Sequence, residues 1–352
     1  MTTGNAIRFG LWYDFRNPPQ WRRPNRDFYS QVLDQISWAQ GLGYDSVWLT
    51  EHHFCEDGYT PSPLVLAGAI AVRSPGLFVG TNLMLLPLHD PVRLAEDAAT
   101  LSILSRGLFA LGLGLGYREL EFDAFKRSLK NRPSLMEEGI EIIRRAWRGE
   151  PVDFKGRRFQ VPAVRVTPDV SDDPPLLLIG GMAEPAIHRA ARLGDGFLST
   201  QNAHHGMYIN GLEQAGKDPA AGSIYAGQWI VVDKDPERTW DRIGQHAVYQ
   251  LNEYISWGAF GPPEQVPRFT DAEQIKAAGA YQLWDADAAV RELVALVRGT
   301  PQIKDIHFFA QLPGEPVESG SHRVEYFARH VIPRVRAELS GPTKVGVASA
   351  DG

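Results

Sequence analysis

The densest group of residues able to perform chemistry is Glu51-His52-His53, which directly follows the apolar run at 47–49. Histidine titrates near neutral pH and can donate or accept a proton during a reaction. Neighbouring residues on an extended strand point in opposite directions, so at most one of the two histidines faces a common site. The group predicts a proton-transferring histidine. The alternative is a pair of structural histidines bonded to neighbouring loops.

Two β-rich runs carry further candidate positions. Asn82 interrupts the run at 79–84, where its amide either binds a polar ring edge or is an ordinary interior polar group. Gly112, Gly114 and Gly116 alternate with leucines and leave one strand face bare. Such a face lets a flat ring or a phosphate approach the backbone closely. Tight packing of a helix on the strand is the alternative explanation for these glycines.

A glycine pair marks a candidate phosphate site. Gly180 and Gly181 end another β-rich run, Met182 follows, and a helical pattern begins near Ala183. A turn of this kind offers free backbone N–H groups and the positive end of the helix dipole to an anion. The alternative is a structural turn without a ligand.

These positions belong to a regular alternation of strands and helices. Eight strand-like runs occur, at 7–12, 46–50, 77–86, 108–115, 175–179, 196–200, 223–232 and 303–309. Alternation predicts a parallel sheet, and eight uninterrupted units favour a closed α/β barrel, the (β/α)8 TIM barrel. A doubly wound sheet would place a phosphate loop after its first strand, and none follows Trp12. The active site of such a barrel lies at the C-terminal ends of its strands.

Two stretches interrupt the alternation. Residues 149–173 predict a small hairpin inserted after the fourth strand. Residues 256–281 are rich in glycine, proline and aromatics, precede the last helix and strand, and are expected to cover the active-site mouth. A single helix is predicted over 317–339. We expect one domain over 1–340 and a flexible tail over 341–352.

Composition excludes several classes of function. The 352-residue chain has a net charge of −6, which disfavours a surface built to bind nucleic acid. Its one cysteine, Cys55, cannot form an intramolecular disulfide. No signal peptide or membrane span is recognised, so a cytoplasmic enzyme is expected. Without His-x-His or His-Glu-x-x-His, no catalytic metal is expected.

Five segments together resemble the bacterial luciferase-like flavin-dependent monooxygenases and oxidoreductases. They are 43–54, 79–81, 90–97, 105–107 with the glycine strand that follows, and 192–197, and the resemblance extends over 7–339. It implies that His52 matches the family's catalytic histidine beside the flavin, with Glu51 and His53 supporting the pocket.

The resemblance also implies a set of cofactor-binding positions. Asn82-Leu83 matches a non-prolyl cis peptide against the flavin, and Gly114 and Gly116 belong to the matching glycine strand. Gly180, Gly181 and Met182 match the family's phosphate turn. Arg132 matches a phosphate-binding arginine, and Thr200 is expected near the flavin ring. The chain departs from luciferase, which has cysteine and arginine where Gly114 and Leu115 stand. Met182 replaces a small hydroxyl residue, so only backbone donors remain there.

The resemblance implies a two-component monooxygenase. A separate flavin reductase supplies reduced FMN, which reacts with O₂ to give a flavin C4a-peroxide that oxidises a small apolar organic substrate. A homodimer is also implied. The first alternative is an oxidoreductase that uses 8-hydroxy-5-deazaflavin for hydride transfer. Those relatives often carry Asp-His where this chain has Glu51-His52, which favours FMN. The second alternative is a flavin-binding protein without catalytic activity.

Overall fold

The computed structural model describes residues 7–341, and its strands fall into one large sheet and two small ones. In chain order the strands are β1 (Arg8–Tyr13), β2 (Ser46–Leu49), β3 (Phe78–Thr81), β4 (Met84–Leu85), β5 (Phe109–Gly114), β6 (Val152–Lys155), β7 (Gln160–Val164), β8 (Leu176–Gly180), β9 (Gly196–Ser199), β10 (Ile224–Gln228), β11 (Ile230–Val232), β12 (Gln282–Trp284) and β13 (Ile303–Phe309).

Twelve α-helices are found in the described part of the chain. They are α1 (Asn25–Gly41), α2 (Pro63–Arg73), α3 (Pro91–Leu104), α4 (Glu119–Ala124), α5 (Arg132–Ala146), α6 (Glu184–Leu193), α7 (His205–Gln214), α8 (Pro236–Ser256), α9 (Ala272–Ala277), α10 (Ala286–Gly299), α11 (Val317–His330) and α12 (Ile332–Ser340).

Eight of the nine strands of the large sheet close into a parallel barrel, and the ninth, β4, pairs with β5. The barrel strands follow the order β1, β2, β3, β5, β8, β9, β10 and β13, and β13 pairs back onto β1. Trp12 of β1 lies beside Trp48 of β2 on one side and Phe309 of β13 on the other. The predicted (β/α)8 barrel is therefore confirmed, and the C-terminal ends of its strands meet at one mouth.

The strands are apolar on both faces because both are covered. Every residue of β2, β3 and β5 is buried. Trp48, Leu178 and Leu198 pack together in the barrel interior, whereas Val47 and Ile179 belong to the cluster formed with the helices. Burial on both faces removes the alternation of polar and apolar residues that a half-exposed strand shows.

Three predicted elements differ from the observed ones. The run at 77–86 divides into β3 and β4 at the peptide between Asn82 and Leu83, which is cis. The run at 223–232 divides into β10 and β11, and the helix predicted over 317–339 divides into α11 and α12 at Val331. Pro333 follows that break and has no N–H to continue the helical ladder. The short helix α4 was not predicted.

The first predicted insertion is an antiparallel hairpin formed by β6 and β7. The second, at 256–281, contains α9 and contributes Ala259, Phe260 and Ala280 to the wall of the central cavity. Of the predicted tail at 341–352, residues 342–352 lie outside the described residues. Among the helices of residues 7–341, none combines the length and apolar character required to cross a membrane.

Candidate active site

A cavity of about 740 Å³ lies at the C-terminal mouth of the barrel. Eleven of the twelve residues predicted for the site line it, although they come from six separate regions of the sequence. They are Glu51, His52, Asn82, Leu83, Gly114, Gly116, Arg132, Gly180, Gly181, Met182 and Thr200. His53 is not among the lining residues, in keeping with the opposite directions of neighbouring side chains.

His52 is held by hydrogen bonds on both ring nitrogens. Its Nδ1 lies 2.9 Å from Oε1 of Glu121, and its Nε2 lies 3.0 Å from the hydroxyl of Tyr117. The rings of Tyr59 and Trp257 pack against the imidazole, with centroids 4.9 and 5.2 Å away. Burial is the main cause that lowers the pKa of His52, and it outweighs the opposing effect of Glu121. The imidazole is therefore neutral at pH 7.

Glu121, on α4, anchors the chain around His52. Its Oε1 accepts hydrogen bonds from Nδ1 of His52, from the backbone N–H of His53 at 2.8 Å and from Nη1 of Arg118 at 3.1 Å. Burial raises the pKa of Glu121, but the bond from His52 and the other donors lower it overall. The carboxylate is therefore charged at neutral pH.

Sequence reasoning missed Tyr117, Arg118 and Glu121. All three follow Gly116, whose φ of +72° turns the chain at the end of β5 toward the loop after β2. The position of these polar residues just beyond a barrel strand was the only signal in the sequence that could have indicated them.

Glu51 belongs to a second network, directed away from His52. Its carboxylate accepts bonds from Nε2 of His53 at 3.1 Å, from Nε2 of His89 at 2.7 Å and from the backbone N–H of Leu85. Burial alone would raise the pKa of Glu51, but the charge of His89 and these donors lower that pKa to about 2. The ligand-type atoms of Glu51, His53 and His89 lie within 4.8 Å of one another. Hydrogen bonding accounts for this arrangement.

Asn82 is tied to the barrel interior. Its amide nitrogen lies 2.9 Å from Nε2 of His307, whose Nδ1 lies 3.0 Å from Oδ1 of Asp305. The backbone N–H of Asn82 donates to the carbonyl of Leu49 at 2.6 Å. The next peptide bond, between Asn82 and Leu83, is cis. These bonds fix the position at which Leu83 enters the cavity wall.

Leu83 occupies a recess formed by two glycines. A Cβ atom on Gly114 would lie 2.4 Å from Cδ1 of Leu83, and one on Gly180 would lie 2.7 Å from Cδ2. At Gly112 the same atom would lie 1.9 Å from the carbonyl oxygen of Thr81. The bare strand face is thus filled by the protein itself, which supports packing as the role of Gly112 and makes Leu83 the surface presented above Gly114.

The wall around Gly181 has the features of an anion site. A Cβ on Gly181 would lie 2.5 Å from that of Ala186, so glycine is needed for the turn to approach α6. The helix begins at Glu184 without a side-chain cap. Arg132, at the start of α5, also lines the cavity, and its guanidinium makes a 3.4 Å bond to the carbonyl of Leu129. A helix N-terminus and a guanidinium are both groups that bind phosphate.

The remaining wall is largely apolar. Its aromatic and aliphatic side chains are Trp12, Tyr59, Trp229, Ile230, Leu251, Tyr254 and Phe260. Two amides, Asn202 and Gln228, bond to each other at 2.9 Å. In the described part of the chain, Glu51 and Arg132 are the only permanently charged residues of the lining. The arrangement suits an uncharged organic molecule beside the anion site.

A buried ion pair supports this aromatic wall from behind. Nε of Arg16 donates to Oδ2 of Asp57, and both side chains are almost completely buried. The guanidinium lies 5.1 to 5.6 Å from the centroids of four rings, which belong to Tyr59, Tyr249, Tyr254 and Trp257. Sequence reasoning did not identify Arg16, because its partner lies 41 residues away.

Known proteins share this sequence pattern and this fold. The family model for luciferase-like monooxygenases matches residues 7–302. The chain is 24% identical to the F420-dependent glucose-6-phosphate dehydrogenase of Nakamurella multipartita over 88% of its length and 93% of that protein. It is 28% identical to the alkanal monooxygenase alpha chain of the Kryptophanaron alfredi symbiont over 46% of its length, and spans only 45% of that protein.

Two solved structures have the same fold. Monooxygenase RslO1 from Streptomyces bottropensis superposes with a TM-score of 0.80 at 21% identity, covering 93% of this chain and 99% of that one. The oxygenating constituent of 3,6-diketocamphane monooxygenase from Pseudomonas putida, in complex with FMN, gives 0.75 at 18% identity, covering 94% and 99%. With the family model matched over most of its length, the chain belongs to the luciferase-like monooxygenase family and is an oxidoreductase.

Proposed function

We propose that the protein is the oxygenating component of a two-component flavin monooxygenase. It takes reduced FMN from a separate flavin reductase and uses O₂ to oxidise a small, uncharged organic substrate. The observation that carries this proposal is that one cavity combines two groups able to bind an anion, the turn at Gly181 and the guanidinium of Arg132, with an apolar lining that includes Trp229 and Tyr254. The anion-binding groups suit a flavin phosphate, and the apolar lining suits an apolar substrate.

The residues present fit a bound FMN. Backbone N–H groups at the start of α6 and the guanidinium of Arg132 would hold its phosphate. Leu83, fixed above Gly114 and Gly180, would support the flavin ring. Bound in its reduced state, the flavin supplies the two electrons needed to activate O₂.

The protein contributes a dry, oriented environment and a proton-transfer group. Apolar side chains on the cavity wall exclude water, which strengthens the polar interactions that remain. His52 is neutral at pH 7 and bound to the Glu121 carboxylate. This pairing makes it a base that can become charged inside the protein.

A second candidate is hydride transfer with 8-hydroxy-5-deazaflavin in place of FMN. It is favoured by the match to the F420-dependent glucose-6-phosphate dehydrogenase, which covers 88% of the chain. The apolar wall argues against a sugar phosphate as substrate, because within the described residues it offers no cation besides Arg132. An uncharged alcohol or an unsaturated carbonyl compound would fit this reading.

Rapid mixing with O₂ tests the proposed function. The protein is loaded anaerobically with photoreduced FMN and mixed with oxygenated buffer, while flavin absorbance and hydrogen peroxide release are followed. We expect bound FMN to be re-oxidised with kinetics distinct from those of free reduced FMN, and peroxide to appear late because the cavity excludes water. If reduced FMN were re-oxidised with the same kinetics in the presence and absence of the protein, the proposal would be contradicted.

A homodimer is part of the proposal. Val65 and Val72 on α2 are 74% and 66% exposed, and Ile103 and Leu104 on the neighbouring α3 are 54% and 46% exposed. Exposed apolar side chains on two helices that pack together suit a protein interface. Light scattering should give twice the mass of one chain for the wild type and the mass of one chain for Val72→Glu combined with Ile103→Glu. A monomeric wild-type protein would overturn this assignment.

A further inference from the structure

We propose that the hydroxyl of Tyr117, rather than the imidazole of His52, exchanges the proton with the molecule bound in the cavity. His52 and Glu121 then act through Tyr117. The inference rests on the proposed function, and it assigns a role to a residue that neither the family motif nor the strand pattern identified. It is carried by a continuous chain of hydrogen bonds from the cavity wall into the protein.

The donor and acceptor roles along this hydrogen-bonded path follow from the ionisation of Glu121. Glu121 is ionised and can only accept, so Nδ1 of His52 carries the proton that bridges the 2.9 Å to Oε1. Nε2 of the neutral ring is then an acceptor, and the hydroxyl of Tyr117 donates to it over 3.0 Å. Burial raises the pKa of Tyr117 well above its ordinary value, so this phenol keeps its proton.

Position distinguishes the two groups. His52 is 5% exposed, and its ring is enclosed by Tyr59, Tyr117 and Trp257. Both of its nitrogens are already bonded, so the ring cannot present one to a ligand without breaking a bond. Tyr117 is only partly buried and lines the cavity. Its oxygen retains a free lone pair for a donor in the cavity.

Glu121 is equally fixed. The backbone N–H of His53 and the guanidinium of Arg118 hold the same carboxylate oxygen that accepts from His52. Arg118 in turn lies 4.5 Å from the ring centroid of Trp257. The carboxylate therefore stays aimed at Nδ1 while the imidazole changes charge.

The proton transfer balances. An acidic O–H of the ligand gives its proton to the Tyr117 oxygen as the Tyr117 proton passes to Nε2 of His52. The ligand oxygen becomes anionic, Tyr117 stays neutral, and His52 becomes an imidazolium paired with Glu121. The reverse transfer returns the proton. No oxidant or reductant is needed for this step.

Other phenols on the same wall lack such a path. The hydroxyls of Tyr59 and Tyr254 bond to each other at 3.0 Å. Tyr59 also packs against His52, at a ring distance close to that of Tyr117. Tyr59→Phe is therefore a matched control. It removes a hydroxyl from a ring that packs against His52 but leaves the bond from Tyr117 to Nε2 intact.

The first test uses the ligand-free protein labelled with ¹⁵N-histidine. Long-range ¹H–¹⁵N spectra report the tautomer and titration of each imidazole, and His52→Gln identifies the His52 signals. We expect the Nδ1–H tautomer. In Tyr117→Phe the pKa of His52 should rise by about half a unit or more, because a donor to the neutral ring is lost. In Glu121→Gln it should fall, because the neighbouring anion is lost, and in Tyr59→Phe it should hardly change.

Several charged and titratable groups besides the relay face His52. They are Arg118, which directly precedes α4, Tyr59 from the loop after β2, and Arg16 from the segment after β1. Arg118 and Arg16 lower the pKa of His52, so their retention in every variant keeps the comparison valid. An Nε2–H tautomer, or an unchanged His52 titration in Tyr117→Phe, would overturn the proposal.

A second test uses the protein loaded with reduced FMN and the substrate it oxidises. Tyr117→Phe should bind reduced FMN within about twofold of the wild type but lose about 10²-fold or more in turnover, as expected for a proton-transfer group. The double variant with His52→Gln should be no slower than the worse single variant, because the two residues act as one unit. If the wild type binds no reduced FMN, the proposed function fails, while the tautomer and titration still decide the relay. Full turnover in Tyr117→Phe would refute the role proposed for Tyr117.

Discussion

The two adjacent histidines belong to separate networks with different uses. His52 lines the cavity, is bonded to Glu121 and Tyr117, and lies among aromatic rings. His53 is directed away from the cavity and shares the carboxylate of Glu51 with His89. Each histidine has its own carboxylate, so two residues that are neighbours in the sequence belong to different networks.

The two networks combine stability and reactivity in one site. The Glu51 network connects the loop after β2, the strand β4 and the segment before α3. Its charges therefore stabilise the fold. The His52 network ends at an open cavity, where a proton can leave or arrive. Variants in the two networks should therefore differ in what they damage.

The largest expected effect is on catalysis. His52→Ala removes the base, so turnover should fall by about 10²- to 10⁴-fold, and the pH optimum should shift. The flavin should remain bound, because the phosphate wall is untouched. Product formation is measured at several pH values with the apolar substrate that the wild type oxidises. Turnover equal to that of the wild type would remove His52 from the mechanism.

Glu51→Gln should damage stability instead. It leaves His53 and His89 without their anionic partner, and removing one member of such a buried network costs about 3 kcal/mol of unfolding free energy. Denaturant titration followed by tryptophan fluorescence measures this loss. A variant as stable as the wild type would show that the network is dispensable.

The same carboxylate predicts a pH dependence. The pKa of Glu51 is lowered from 4.5 to about 2 in the folded protein. Its contribution to stability is therefore fully present above pH 4.5 and is lost as the pH falls toward 2. Unfolding experiments across this range should show a steeper decline for the wild type than for Glu51→Gln, and parallel curves would contradict the assigned ionisation.

Arg132→Ala should weaken FMN binding by about 30-fold, which corresponds to about 2 kcal/mol for a charge-assisted hydrogen bond. Riboflavin, which lacks the phosphate, should bind the variant and the wild type equally well. Arg145→Ala on the same helix is the control, because Arg145 pairs with Glu141 at the surface. An equal loss of riboflavin and FMN affinity would place Arg132 elsewhere than at the phosphate.

The smallest effect is expected at Gly114. In Gly114→Ala the new Cβ meets Leu83, which must shift and distort the surface beneath the flavin ring. We expect flavin affinity to fall about fivefold, or about 1 kcal/mol, as for modest overpacking. Gly206→Ala is the matched control because its added Cβ would meet no side chain or backbone from outside its own stretch of helix within 4 Å. Flavin titration of both variants decides whether Leu83 is the supporting residue.

Much of this site was predictable because barrel strands carry their functional residues at one end. His52, Asn82, Gly180 and Gly181 each follow an apolar run, and the barrel rule alone brings those ends together. Arg132 was expected from the resemblance and lines the same cavity. The resemblance implied the cis peptide between Asn82 and Leu83, which the structure contains. Apolar periodicity alone indicated neither the break at Leu83 nor the one at Val331, because the apolar pattern continues across both.

The partners of these residues could not be predicted in the same way. Glu121 lies on a six-residue helix with too few turns to show a periodic pattern, and it reaches His52 across 69 positions of the sequence. Arg16 and Asp57 likewise meet only through the folded chain. Sequence patterns indicate which face of an element is buried, whereas the pairing of two polar side chains depends on how separate loops converge.

An anaerobic binding titration tests most directly whether the cavity is a site for reduced FMN. The protein is titrated separately with photoreduced FMN and with reduced 8-hydroxy-5-deazaflavin cofactor, with tryptophan fluorescence as the readout. We expect saturable binding of reduced FMN, one per chain, and much weaker binding of the deazaflavin. Saturable binding of the deazaflavin together with no binding of reduced FMN would contradict it and identify a hydride-transfer enzyme instead.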